Sequence, residues 1–271
     1  MQTSTTIRLA ILGARRGGGI INEAEATPIQ VTAVCDSSEE RLEKIRERHP
    51  EIQFFADYEE MLAADVCDAV AIATPPGLHA AQAIQALKAG KHVYTEVIAG
   101  LTVEELCQLV ETVERTGLVY TMAEQVNFRR HVLMIQNMVE QGVFGELTYA
   151  QCGYIHDLKR LSVISDGPGA WRYEWNFDRV GNYYPTHAIG PVAAWMGLGK
   201  SDRMASLVSM SSQPASLQEY IDSDDVPEDH PSKQDTRSPT LGDVNKTLIK
   251  TQNGRLIDLW FDVNSNRPIP S

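Results

Sequence analysis

The strongest constraint on this chain is a rhythm near its start. Ile7–Leu12, Gln30–Cys35, Ala69–Ala73, His92–Thr95 and Leu118–Met122 are short, almost unbroken apolar runs with helical-period segments between them. Leu42 and Ile45 mark one helix, Ile84 and Leu87 another, and Val103, Leu106, Val110 and Val113 form an apolar stripe on a third. A strand apolar on both faces must be covered on both, as in a parallel sheet with helices above and below. Residues 1–122 are therefore expected to form a doubly wound α/β (Rossmann) domain.

Beyond Met122 the pattern changes. Val132, Ile135 and Val139 mark a helix, 142-GVFGEL-147 turns the chain, and a strand is expected at about Thr148–Ile155. A loop rich in Gly, Asp and aromatics follows, then a short helix at Thr186–Met196. Met204–Met210, Asp243–Lys250 and Leu256–Val263 read as strands. Residues 123–271 are thus expected to form an α/β domain with an open, mostly antiparallel sheet. The polar stretch from Ser211 to Asp243 is expected to be a surface loop, mobile in part. Four strands are thin for a domain of this length, so the chain is expected to be incomplete at its C-terminus.

The formal charge of −12, with five carboxylates in 221-IDSDDVPED-229, offers no basic stripe for nucleic acid or an anionic membrane surface. Cys35, Cys67, Cys107 and Cys152 show no CxxC pair and no zinc-ligand spacing. They read as buried thiols of a reducing compartment, with no metal site. No leader pattern opens the chain and no apolar run approaches a membrane span, so a cytoplasmic location is expected.

The first strand runs into 13-GARRGGGI-20. In a Rossmann turn, glycines let the backbone turn tightly and approach a pyrophosphate seated on a helix N-terminus. Gly13 and Gly18 fit the first and third positions of GxGxxG, and Arg15 stands at the second, with Arg16 beside it. Asp36 follows the second strand, where a carboxylate accepts from ribose hydroxyls and repels a 2′-phosphate, which favours NAD over NADP. Thr74 and Pro75, in 74-TPPGLH-79, lie where a nicotinamide would approach the sheet edge. His79 is either a ligand contact or an ordinary first-turn helix residue.

The string 72-IATPPGLHAAQAIQALKAGKHVYTE-96, with 142-GVFGEL-147, resembles the Gfo/Idh/MocA family of NAD(P)-dependent sugar and inositol dehydrogenases. That resemblance implies a Rossmann domain followed by a domain whose open sheet carries the substrate site and often an oligomer contact. The Glu-Lys-Pro usual in such dehydrogenases reads 96-EVI-98 here: Glu96 is kept, and Val97 stands in place of a proton-handling lysine. Tyr183 occupies the position of a usual aspartate ahead of His187. Segments 153-GYIHDLKR-160, 171-WR-172, 181-GNYYPTHAIGP-191 and 242-GDVNKTLIKTQNGRLIDL-259 are similar to the NAD-dependent α-N-acetylgalactosaminidases of the same superfamily.

That second resemblance implies a glycosidase acting by transient oxidation at sugar C3, elimination from C2–C1 and re-addition of water. Such chemistry needs positioned bases rather than the paired carboxylates of ordinary glycosidases. Tyr154 and His156, two apart on a strand, share a face, and either could serve as base. His187, in the first turn of a helix with Thr186 as a candidate N-cap, feels a dipole that disfavours imidazolium, and the resemblance makes it the first catalytic candidate. Arg172 and Tyr184 would bind sugar hydroxyls or an acetamido carbonyl, Glu124 would hold a hydroxyl, and Trp171 and Trp175 could form an apolar wall. The partner expected is a small sugar or glycoside, with a homo-oligomer through the second-domain sheet. Two alternatives stay open: an NAD-dependent sugar or inositol oxidoreductase, and a non-catalytic NAD- or sugar-binding protein.

Overall fold

The computed structural model describes residues 6–267, which pack as two units divided between Ala123 and Glu124. In the first, β1 (Ile7–Leu12), α1 (Ala14–Ala24), β2 (Ile29–Cys35), α2 (Glu39–Arg46), β3 (Gln53–Phe55), α3 (Tyr58–Ala63), β4 (Ala69–Ile72), α4 (His79–Lys88), β5 (His92–Thr95), α5 (Val103–Thr116) and β6 (Tyr120–Met122) follow in turn. The strands are parallel throughout, in the order β3-β2-β1-β4-β5-β6. Side-chain alternation on β1 explains the two helical layers. Leu9 and Ile11 pack with Ile21, Val34 and Leu42, while Ala10 and Leu12 pack with Met61, Leu87 and Leu109. The strand order reverses between β1 and β4, and the crevice beyond the carboxyl ends of those strands is where such sheets take ligands.

In the second unit, α6 (Arg130–Glu140) precedes β7 (Tyr149–Ile155), α7 (Trp171–Asp178), α8 (Thr186–Met196), β8 (Met204–Ser211), α9 (Ser216–Asp222), β9 (Asn245–Thr251) and β10 (Leu256–Asp262). The sheet order is β7-β10-β9-β8; β10 runs antiparallel to β9 and parallel to β7, and β9 and β8 are antiparallel. One face is covered by α8, whose Val192 and Met196 pack with Ile249, Ile257, Ala150 and Cys152.

Four expectations change. β3 and α3 went unforeseen, because three strand residues and six helical ones show too little period to register. The stretch after Ser211 is not a bare loop: α9 buries Leu217 and Ile221 against Val163, Tyr173 and Val226. Asp243 secures that helix start, accepting from Ala215 N, Ser216 N and the Ser216 hydroxyl. The aromatic-rich loop before α8 likewise contains α7 and a π-helical turn, Leu161–Asp166. All four cysteines are free, but Cys107 is exposed on α5 and Cys152 is half-buried, so a uniform buried-thiol reading fails. Among the described residues no helix is long and apolar enough to cross a membrane, and no cluster of His, Cys, Asp or Glu is arranged to hold a metal ion.

Candidate functional site

In the first unit the candidate cofactor residues converge on the β1/β4 edge from several elements. Gly13 has φ 101°, and a Cβ there would lie 2.7 Å from the Ala73 carbonyl oxygen, so the cradle admits only glycine. The first turn of α1 carries no acid and exposes Arg15 and Arg16, a donor set suited to a pyrophosphate. Close approach of α1 to β1 depends on Gly17, where a Cβ would meet Ile11 Cγ2 at 2.3 Å; at Gly18 it would reach only Ile45 Cδ1, at 3.9 Å. The packing role of the third glycine therefore falls one residue earlier than the motif suggested.

Asp36 is buried and ties the turn to β2: Oδ2 accepts from Ala14 N at 2.8 Å and Oδ1 from Ser38 N at 2.9 Å. Arg41 Nη1 lies 3.5 Å from Oδ1. A carboxylate has about four acceptor sites, so these bonds leave capacity for ribose hydroxyls. Arg16 Nε pairs with Glu96 Oε1 at 2.8 Å, and the Thr74 hydroxyl donates to Gln82 Oε1 at 2.5 Å beside exposed Pro75. His79 plays no ligand role. It is fully buried, with Nδ1 2.8 Å from the Ile98 carbonyl and Nε2 2.8 Å from the Thr74 carbonyl, so it staples two loops and has no nitrogen to offer. Val97 is buried too, at 2% exposure. These residues fit a dinucleotide.

The second unit gathers its candidates at one end of the sheet. Tyr154 projects from the α8-covered face, stacked over Phe261 at 6.2 Å, and His156 contacts it with ring centroids 4.3 Å apart. Tyr184 lies 5.2 Å from Tyr154 and 5.3 Å from His187, between ring centroids. His187 opens α8, and its Nδ1 sits 2.8 and 3.0 Å from the two oxygens of Glu124, which also caps the following turn by accepting from Val126 N. As a carboxylate Glu124 only accepts, so Nδ1 carries the proton and Nε2 presents a lone pair. Glu124 thus holds the histidine, and by the same count of acceptor sites it keeps capacity for a hydroxyl. Thr186 is not the cap: Pro185 precedes α8 without a side-chain bond, and Thr186 Oγ1 is buried without a hydrogen-bond partner.

Arg172 is aimed by two contacts. Its Nη1 donates to Asp166 Oδ2 at 2.7 Å, and its guanidinium lies 4.3 Å over the Trp171 ring. Trp171 in turn lies near-parallel to Tyr184 at 6.4 Å, while Trp175 is buried against Tyr183, which packs on Phe261. Of the two tryptophans, only Trp171 faces the cluster. Burial pushes the Tyr154 phenol above its ordinary value and Arg172 pulls it only partly back, so it is a donor near neutrality rather than a base. Burial, then the neighbouring His187, push His156 below 6.5, leaving its ring neutral at pH 7. Gly17 and Asp166 are the participants the sequence did not single out. Gly17 is hidden in a run of three glycines, and Asp166 lies in a segment without period.

A Rossmann unit with a dinucleotide cradle, joined to a sheet unit with a His–Glu pair among aromatics, defines a protein of the Gfo/Idh/MocA oxidoreductase superfamily. Residues 7–124 match the oxidoreductase family, NAD-binding Rossmann fold, and residues 128–271 match the glycosyl hydrolase 109 C-terminal domain. A glycosyl hydrolase family 109 protein of Solibacter usitatus (strain Ellin6076) is 37% identical over 276 residues, covering 97% of this chain and 62% of that protein. One from Shewanella baltica (strain OS155 / ATCC BAA-1091) is 38% identical over 250 residues, covering 89% and 54%. This chain belongs to glycosyl hydrolase family 109, and it spans 54–62% of the length of those two relatives.

Solved structures with the same fold include scyllo-inositol dehydrogenase from Lactobacillus casei with bound NAD(H) and scyllo-inositol. It aligns at TM-score 0.72 and 18% identity, covering 96% of this chain and 70% of that one. The WlbA dehydrogenase from Bordetella pertussis, in complex with NADH and UDP-GlcNAcA, aligns at 0.74 and 19%, covering 97% and 74%. At such identities the likeness speaks to fold alone.

Proposed function

We propose that the chain carries out NAD-dependent hydrolysis of α-N-acetylgalactosaminide-type glycosides. The observation that carries this reading is the Glu124–His187 pair, which fixes one histidine tautomer beside Tyr154, His156 and Tyr184. Bound NAD, held by the Gly13 cradle, Arg15, Arg16, Asp36, Thr74, Pro75 and Glu96, would supply reversible oxidation at sugar C3, which acidifies the C2 proton. His187 Nε2 takes that proton, with Glu124 steadying the charge that develops on the ring. Tyr154, held as a phenol, donates to a sugar oxygen, and neutral His156 accepts a second proton when water adds. Arg172 and Tyr184 hold hydroxyls or the acetamido carbonyl, with Trp171 against the sugar face. A cytoplasmic location and a homo-oligomer built through the second unit's sheet belong to the same reading. The outer face of that sheet supports the oligomer with exposed Leu248, Val208 and Met210.

A plain dehydrogenase would share the oxidation at C3, so buried Val97 bears on both readings alike and their products separate them. The test is incubation with p-nitrophenyl α-N-acetylgalactosaminide, with and without added NAD, following nitrophenol and NADH together. Nitrophenol without net NADH supports the glycosidase. NADH accumulation on free sugars without nitrophenol overturns it in favour of the oxidoreductase.

A further inference from the structure

We propose that Gly190 is a positioning residue whose missing side chain makes room for Glu124 on His187. Gly190 sits inside α8, three residues after His187, so both occupy one face of the helix. Glycine is a poor helix former, and Pro191 beside it is poorer still. A Cβ at position 190 would lie 2.7 Å from Glu124 Cγ, 3.4 Å from Glu124 Cδ and 2.9 Å from Asn127 Oδ1. Carbon atoms in contact stand about 3.5–4.0 Å apart, so the first approach cannot be tolerated.

Glu124 has no easy retreat. It is 7% exposed, and its carboxylate is fastened to His187 Nδ1 and to Val126 N. The atom in the way is mid-chain rather than a free end, so a methyl group at position 190 must shift the carboxylate or the helix. Either movement opens the bond that sets the His187 tautomer. One helix therefore supplies both the histidine and the gap that its partner fills. This inference rests on Glu124–His187 being the working base pair, but its test needs no turnover.

The experiment compares the wild-type chain, Gly190→Ala, Glu124→Ala and the double variant, each ¹⁵N-labelled, by long-range histidine ¹H–¹⁵N spectra and thermal melting, with His187→Gln to assign the signal. Wild type is expected to show His187 protonated at Nδ1. Gly190→Ala is expected to lose that pattern and to melt lower, although alanine is the better helix former. In the Glu124→Ala background the same substitution is expected to lower Tm by less than it does in wild type, because the nearest obstruction is gone and only the Asn127 Oδ1 contact remains. Should Gly190→Ala alone fail to fold, recovery of folding in the double variant supports the proposal, and its absence overturns it. An unchanged His187 pattern in folded Gly190→Ala, or equal Tm shifts in both backgrounds, overturns it as well. If glycoside turnover is found, kcat in Gly190→Ala falls about 100-fold with KM little changed. A wild type inactive on glycosides, with the His187 pattern still lost in Gly190→Ala, would sink the functional reading and leave the role of Gly190 standing.

Discussion

A histidine whose Nδ1 faces a carboxylate has only Nε2 left for chemistry, and His187 is held in that state by Glu124. Replacing His187 by Ala should lower kcat by roughly 10²–10⁴-fold while NAD affinity, read by calorimetry, stays as in wild type; an unchanged kcat would remove His187 from the mechanism. His156 gives a pH prediction. Its folded-state value lies below the ordinary 6.5, so on acidification the unfolded chain takes up the proton first. Stability from this group is present above 6.5 and is lost as pH falls from there through the lowered folded value. His156→Gln should therefore flatten the fall of Tm below pH 6.5, and a fall as steep as wild type would contradict this. His187, Tyr154 and His156 were legible because their neighbours form unusual strings. The partnership of Glu124 was not, since it spans 63 residues and depends on where α8 begins. The helix dipole, the physical cue the sequence offered for the state of His187, is accompanied by a much nearer carboxylate.

At the scale of elements, the strands and helices with a clear period were readable to within a residue or two, including α8 and β5. What escaped depended on contacts the sequence does not display. α9 has seven residues, and its first N–H groups are satisfied by Asp243 from across a loop. Asp243→Ala should cost about 1 kcal/mol and speed proteolysis between Ser212 and Gly242; unchanged cleavage would mean that the segment is held elsewhere. In the first unit Gly17→Ala places a methyl group against Ile11. It should destabilise by roughly 1–3 kcal/mol, whereas Gly18→Ala, with nothing nearer than Ile45 Cδ1, should be close to neutral in the same melts.

For the whole molecule, the doubly wound class was implied by the near-continuous apolar runs of β1 and β4 and the helical periods between strands, while the strand order was not read from the sequence. The second sheet was less transparent, because the parallel pairing of β10 with β7 joins segments far apart in the chain. Saturating NAD at about a hundred times its Kd should stabilise the protein by about 2.7 kcal/mol, in wild type and His187→Ala alike. Asp36→Ala should lose most of this, both by removing a ribose acceptor and by releasing Ala14 N; an undiminished NAD effect would place the ribose elsewhere. The central claim is that a base on this chain removes the C2 proton of a glycoside, and it is tested most directly by running the hydrolysis of p-nitrophenyl α-N-acetylgalactosaminide in D₂O. Deuterium at C2 of the released sugar, read by mass spectrometry and proton NMR, is the predicted result. Nitrophenol release with C2 still fully protiated would contradict it.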